Sequence, residues 1–190
     1  MKHRRRNLAV TAVAAAAALL GLGAAPAAAY DPTRTITIGD LCLDAVNSGT
    51  ANGTPVQLFT CNDTDAQHWS ARITDGLNGR RYLVNVASGK CLDVPYGDAR
   101  AGVKPQLWDC NRTGSQEFAT PGGPGQGGGY GPIVHNPSGL VLDVPDSRFE
   151  SGARPQLWVR NGTNAQSWTY YPLDATPGDG DGSKPCKRWC

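Results

Sequence analysis

The chain has almost no surplus of charge of either sign: 18 Lys and Arg stand against 16 Asp and Glu in 190 residues, a formal net charge of +2. Even that excess lies at the start, in Lys2, Arg4, Arg5 and Arg6, and subtracting these four leaves 14 basic against 16 acidic side chains, or −2. A protein that neutralises phosphates needs a net basic surface, so nucleic-acid binding is not expected. Past residue 29 there is no apolar run long enough to cross a bilayer, which argues against membrane insertion by that part of the chain. Residues that favour long helices are scarce, and no helix is convincing. Subtracting Gly21, Gly23 and Pro26 leaves 22 of the 24 Gly and 13 of the 14 Pro beyond residue 29, a composition that points to turn-rich β structure. Histidine is also scarce. His68 and His135 have no partner Ser or Cys in a pattern that would make a catalytic triad. No catalytic residue, cofactor or metal is expected.

The first 29 residues read as an export signal. Lys2 and Arg4 to Arg6 form the basic opening, Leu8 to Ala25 the apolar stretch, and Ala27-Ala28-Ala29 the small residues before a cut at Tyr30. An uncleaved membrane anchor is the alternative. The six Cys all lie beyond the signal, as expected of disulfides formed in an oxidising compartment. The remainder fits one domain, which buries about 70% of its extended-chain surface. The reading is therefore a signal peptide over 1–29, one domain over 30–172, and a flexible tail over 173–190 that holds a small disulfide ring between Cys186 and Cys190.

One unit is written three times. Copy one runs Cys42-Leu43-Asp44, Gln57-Leu58-Phe59, Cys61, Gln67-His68-Trp69. Copy two runs Cys91-Leu92-Asp93, Gln106-Leu107-Trp108, Cys110, Gln116-Glu117-Phe118. Copy three runs Val141-Leu142-Asp143, Gln156-Leu157-Trp158, Arg160, Gln166-Ser167-Trp168. The interval from first to second marker is 19 residues in every copy, and the period is 49 and then 50. Alternating runs such as 41–45 and 56–61 read as strands, and 47–54 and 62–65 as turns. The Gly-rich stretch 121–131 keeps the period and reads as a flexible loop inside the domain. Four Asn-x-Thr sequences, at Asn52, Asn62, Asn111 and Asn161, match the glycosylation pattern. Three of them occupy one equivalent turn, which accounts for Asn and Thr without a glycan.

The recurring 19-residue interval implies disulfides Cys42–Cys61 and Cys91–Cys110 across two hairpins, with Cys186 and Cys190 left as the third pair. If each marker pair sits directly opposed, Asp44 faces Phe59, Asp93 faces Trp108 and Asp143 faces Trp158, with Gln57, Gln106 and Gln156 on the same face and the intervening Leu pairs turned to the core. A carboxylate beside an aromatic ring and an amide matches a sugar, whose hydroxyls donate to the carboxylate while its C–H face lies on the ring. Cross-strand packing and turn capping account for the same residues equally well. The closing Gln67 and Trp69, Gln116 and Phe118, Gln166 and Trp168 read as structural: core volume, and amides that satisfy turn backbone.

Together these units resemble the ricin-type β-trefoil lectins and related carbohydrate-binding modules, over roughly Thr35 to Tyr171. The resemblance implies an all-β trefoil of three repeats of about 50 residues: a six-stranded barrel capped by three hairpins, with up to three shallow sugar sites. Carried over, the sugar ligands are Asp44, Gln57 and Phe59; Asp93, Gln106 and Trp108; Asp143, Gln156 and Trp158. One departure stands out. Binding members place an Asn before the closing Gln, where this chain has Ala66, Ser115 and Ala165. The expectation is a secreted, monomeric, non-catalytic carbohydrate binder. The alternative is a trefoil with degenerate sugar sites that serves as a protein-interaction or inhibitor module. Glycosidase chemistry is not expected, because threefold placement separates the Asp residues by about 25 Å in a domain of this size, whereas paired catalytic carboxyls stand about 5 to 10 Å apart.

Overall fold

The computed structural model describes residues 34–73, 81–122 and 128–172. The export signal read at 1–29 and the Cys186–Cys190 pair lie outside these residues. Thirteen strands are described: β1 (Arg34–Ile38), β2 (Leu41–Ala45), β3 (Thr54–Thr60), β4 (His68–Ile73), β5 (Arg81–Asn85), β6 (Cys91–Asp93), β7 (Gln106–Trp108), β8 (Phe118–Ala119), β9 (Gly129–Gly131), β10 (Val134–His135), β11 (Val141–Asp143), β12 (Gln156–Trp158) and β13 (Trp168–Pro172). The only helical pieces among the described residues are three-residue 3₁₀ turns.

The antiparallel pairings close a ring: β1 with β4, β4 with β5, β5 with β8, β8 with β10, and β13 with both β9 and β1. β9 and β10 are two halves of one ring position, separated by Pro132 and Ile133; Pro132 brings no N–H to a ladder. Part of the Gly-rich stretch expected to be a loop is therefore barrel: Gly129, Tyr130 and Gly131 pair with Tyr170, Thr169 and Trp168. Glycine suits this path because the backbone folds on itself there. A Cβ on Gly122 would stand 2.3 Å from the carbonyl oxygen of Gly128.

Three hairpins, β2–β3, β6–β7 and β11–β12, cap the ring. Their Leu pairs, 43 with 58, 92 with 107 and 142 with 157, are directly opposed and fully buried, so the alternating pattern delivers the expected core layer. Each such Leu contributes roughly 1.5–3 kcal/mol by leaving water. Trp69, Phe118 and Trp168 fill the barrel behind them, and the two indole N–H groups donate to the carbonyls of Leu43 and Leu142 at 2.9 and 2.8 Å. The hairpin loops then tie the copies together in rotation. Gly53 N–H donates to Leu107, Gly102 to Leu157 and Gly152 to Leu58, each at 2.8 Å. These three glycines have φ of 84°, 88° and 90°, a conformation that costs other L-residues strain.

Disulfides Cys42–Cys61 and Cys91–Cys110 form as the interval implied. The register differs from the expectation by two residues. Cys42 lies opposite Phe59 and Asp44 opposite Gln57; Cys91 lies opposite Trp108 and Asp93 opposite Gln106; Val141 lies opposite Trp158 and Asp143 opposite Gln156. Cys61 and Cys110 lie just past their strands, so each disulfide reaches diagonally to a residue two beyond the ladder partner. Because the shift is even, every side chain keeps its face.

Candidate functional site

Each hairpin carries Asp at the end of its first strand, or one residue before it in copy one, and Gln directly across. The amide donates to the carboxylate: Gln57 Nε2 to Asp44 Oδ1 at 2.9 Å, Gln106 to Asp93 at 3.1 Å, Gln156 to Asp143 at 3.0 Å. The closing glutamines, read as purely structural, reach the same carboxylates. Gln116 Nε2 donates to Asp93 Oδ2 at 3.1 Å and Gln166 to Asp143 Oδ2 at 3.0 Å, while Gln67 hydrogen-bonds Asp44. They also hold the turn. Gln67, Gln116 and Gln166 accept from the N–H of Asn62, Asn111 and Asn161 and donate to the carbonyls of Thr60, Asp109 and Val159. Within those turns the Asn Oδ1 atoms accept from Thr64, Thr113 and Thr163, so Asn-x-Thr closes a local loop in each copy.

The carboxylates are 5%, 5% and 4% exposed, and Phe59, Trp108 and Trp158 are 39%, 39% and 40% exposed. A sunken acceptor beside a ring open to solvent is the arrangement that a sugar hydroxyl and C–H face require, and it recurs in all three hairpins. Burial pushes the Asp44 and Asp93 carboxyls above the ordinary value of 3.8, against the opposing pull of the two Gln donors at each.

Site two opens into a cleft of about 300 Å³ lined by Asp93, Gln106 and Trp108 and also by Tyr96, Asn111 and Ser115. The last three were not assigned from sequence as ligands. Ser115 occupies the position of the missing Asn, so copy two retains a hydroxyl where Ala66 and Ala165 present none. The signal for Asn111 was present in the repeated Asn-x-Thr turn but was absorbed by its structural role.

His135 is buried, with Nε2 3.0 Å from the carbonyl oxygen of Gly114 and Nδ1 2.8 Å from Ser138 Oγ. Nε2 must donate to that carbonyl, leaving Nδ1 to accept from the hydroxyl, and burial holds the imidazole below its ordinary 6.5. Among the described residues no group of three or more His, Cys, Asp or Glu is arranged to hold a metal ion. None of the described helices is long and apolar enough to cross a membrane.

Residues 27–117 match the model of the ricin-type beta-trefoil lectin domain. The chain is 36% identical over 85 residues to a protein of Salmonella typhimurium named probable lipoprotein EnvE, an alignment that covers 44% of this chain and 44% of that protein. Among solved structures, the designed threefold-symmetric protein ThreeFoil superposes with a TM-score of 0.66 at 26% identity, covering 75% of this chain and all of ThreeFoil. The Rhizoctonia solani agglutinin superposes with a TM-score of 0.64 at 20% identity, covering 78% of this chain and 99% of the agglutinin. The fold is all-β, and its neighbours are β-trefoils.

Proposed function

We propose, from the match of residues 27–117 to the model of the ricin-type beta-trefoil lectin domain, that the protein is an exported, non-catalytic carbohydrate binder with its principal site in hairpin β6–β7. The family match and the lectin neighbours support carbohydrate binding. The observation that carries the assignment to copy two is its cleft: Asp93 lies at the base, Trp108 is half open to solvent, and the Ser115 hydroxyl stands where copies one and three have Ala.

In this reading a sugar lays its apolar face on the Trp108 indole while a hydroxyl donates to Asp93. Gln106 and Gln116 each use one amide hydrogen to fix one carboxylate oxygen, which leaves a lone pair on each oxygen for the ligand. The cleft is shallow, so affinity for one sugar unit is expected near the millimolar range. The two hairpin disulfides support export to an oxidising compartment.

The test uses protein recovered from culture medium, whose first residue is expected to be Tyr30. It is passed over immobilised neutral polysaccharides: galactan, xylan, glucan and mannan. At least one matrix should retard it, and Trp108→Ala should reduce that retention about tenfold while leaving the fold intact. A chain that elutes with the void on every matrix defeats the proposal.

A further inference from the structure

The turn after the first strand of each hairpin places two consecutive residues in the left-handed region. They are Asn47 and Ser48 in copy one, Tyr96 and Gly97 in copy two, and Asp146 and Ser147 in copy three. The first of each pair has φ of 54°, 58° and 54°. Asn and Asp tolerate this conformation because their short polar side chains bond locally, whereas a bulky residue there is a conformational outlier. Copy two therefore pays a strain that copies one and three avoid at the same position. Tyr96 gains nothing from packing in return. Its side chain is fully solvent-exposed, at 104% of the reference area, and no hydrogen bond or ring contact engages it among the described residues.

A strained residue that makes no stabilising contact, held at a functional cleft, is a reason to look for a function there. Tyr96 lines the cleft that holds Asp93 and Trp108. The turn beneath it is seated against the cleft wall, since a Cβ on Gly97 would stand 3.2 Å from Ser115 Oγ. Copy two thus places two aromatic residues, Trp108 and Tyr96, at one cleft, where Asn47 and Asp146 occupy the matching turns of copies one and three.

Building on carbohydrate binding at site two, we propose that Tyr96 is a specificity-determining residue that makes this site a receptor for a chain of at least two sugars: one unit seats on Asp93 and Trp108, and the next lays its C–H face on the Tyr96 ring. Sites one and three, lacking that ring, read single units. An exposed ring with unoccupied faces is suited to the second unit, because stacking needs apolar area and no further buried polar group. Site two would then distinguish an oligosaccharide from its monosaccharide by ring count rather than by added hydrogen bonds.

The test is an NMR titration of the exported chain with β-1,4-linked ladders, from monosaccharide to tetrasaccharide, of galactose, xylose, glucose and mannose. Signals of the Trp108 indole report site two. Affinity should rise about tenfold from the monosaccharide to the disaccharide of the preferred ladder. Tyr96→Asn, which installs the residue of copy one and relieves the strain, should cancel that rise, leave monosaccharide affinity unchanged and keep or raise the melting temperature. Tyr96→Phe should preserve the rise. A ladder response unchanged in Tyr96→Asn overturns the role of Tyr96 and leaves carbohydrate binding at Trp108 standing. Equal loss of monosaccharide affinity in Tyr96→Asn overturns it too, by placing Tyr96 on the first unit. No response of the Trp108 indole to any ladder overturns both readings.

Discussion

At the residue scale, burial works against the ionised form of the Asp44 and Asp93 carboxylates. Asp93 is desolvated by its surroundings, and its two Gln donors only partly offset that cost, so its proton is held more tightly in the folded protein than in the unfolded chain. Asp44 behaves alike. A folded-state value above the unfolded one favours folding at low pH, and that contribution is lost as pH rises from 3.8 through the raised folded value. Ligand binding runs the other way. A hydroxyl donating to an ionised carboxylate makes a charge-assisted bond about twice as strong as a neutral one. Acidification should therefore weaken retention on the matrix about tenfold before these two groups give the fold any reason to open. Retention measured against pH should show a midpoint above 3.8, with the near-ultraviolet circular dichroism of the Trp residues unchanged through it. Retention that does not fall on acidification would remove Asp93 from the site.

At the element scale, copy three shows what a hairpin needs. β11 and β12 keep the register of the other two hairpins, with Val141 opposite Trp158 as Cys42 is opposite Phe59, although no disulfide joins them. The buried Leu142 and Leu157 and the Gln156 amide on Asp143 therefore suffice to set that pairing. Val141 and Arg160 occupy the positions that Cys42 and Cys61 hold, whose Cα atoms are 5.1 Å apart. The double substitution V141C/R160C is expected to form a third hairpin disulfide and to stabilise the fold by up to roughly 3 kcal/mol through loop closure. A thermal melt with and without reductant reads the gain. The same hairpins mark the limit of what the sequence made legible. The constant interval implied both disulfides correctly, and the alternating pattern delivered the core Leu pairs. Treating each disulfide as a directly opposed pair displaced the register by two, because Cys61 and Cys110 lie beyond the ends of their strands and bridge diagonally. The faces survived that displacement since side chains alternate with a period of two, so the residues assigned to each site stayed on one face even though the aromatic ring lies opposite Cys42, Cys91 or Val141 and not the Asp. Tyr96 was not legible at all: Val94-Pro95-Tyr96-Gly97 gives a turn, and only the folded structure shows that Tyr96 joins Gly97 in the left-handed region.

At the scale of the whole molecule, the three hairpins are bound into one rigid cap. Gly53, Gly102 and Gly152 each pass a hydrogen bond to the hairpin of the next copy, and Leu58 and Leu157 return one to Ala153 and Val103, so no hairpin reorients alone. Further cross-copy bonds, Asn52 with Asp109 and Thr60 with Ser151, tighten two of the three junctions at their exposed rims. Threefold placement then holds the sites about 25 Å apart. A soluble disaccharide engages them independently, but a polysaccharide anchored at site two presents its remaining units to sites one and three at an effective concentration of order millimolar. That value is comparable with the affinity of a shallow site, so the weaker pair adds retention on a polymer without adding affinity for a short sugar. The double variant F59A/W158A removes the rings of both weaker sites while leaving the site-two cleft untouched. It should lose several-fold retention on the immobilised polysaccharide and none of the wild-type affinity for the free disaccharide. Equal retention by the variant and the wild type would confine function to the site-two cleft, and parallel losses in both assays would mean that the aromatic rings of copies one and three support the fold rather than the ligand.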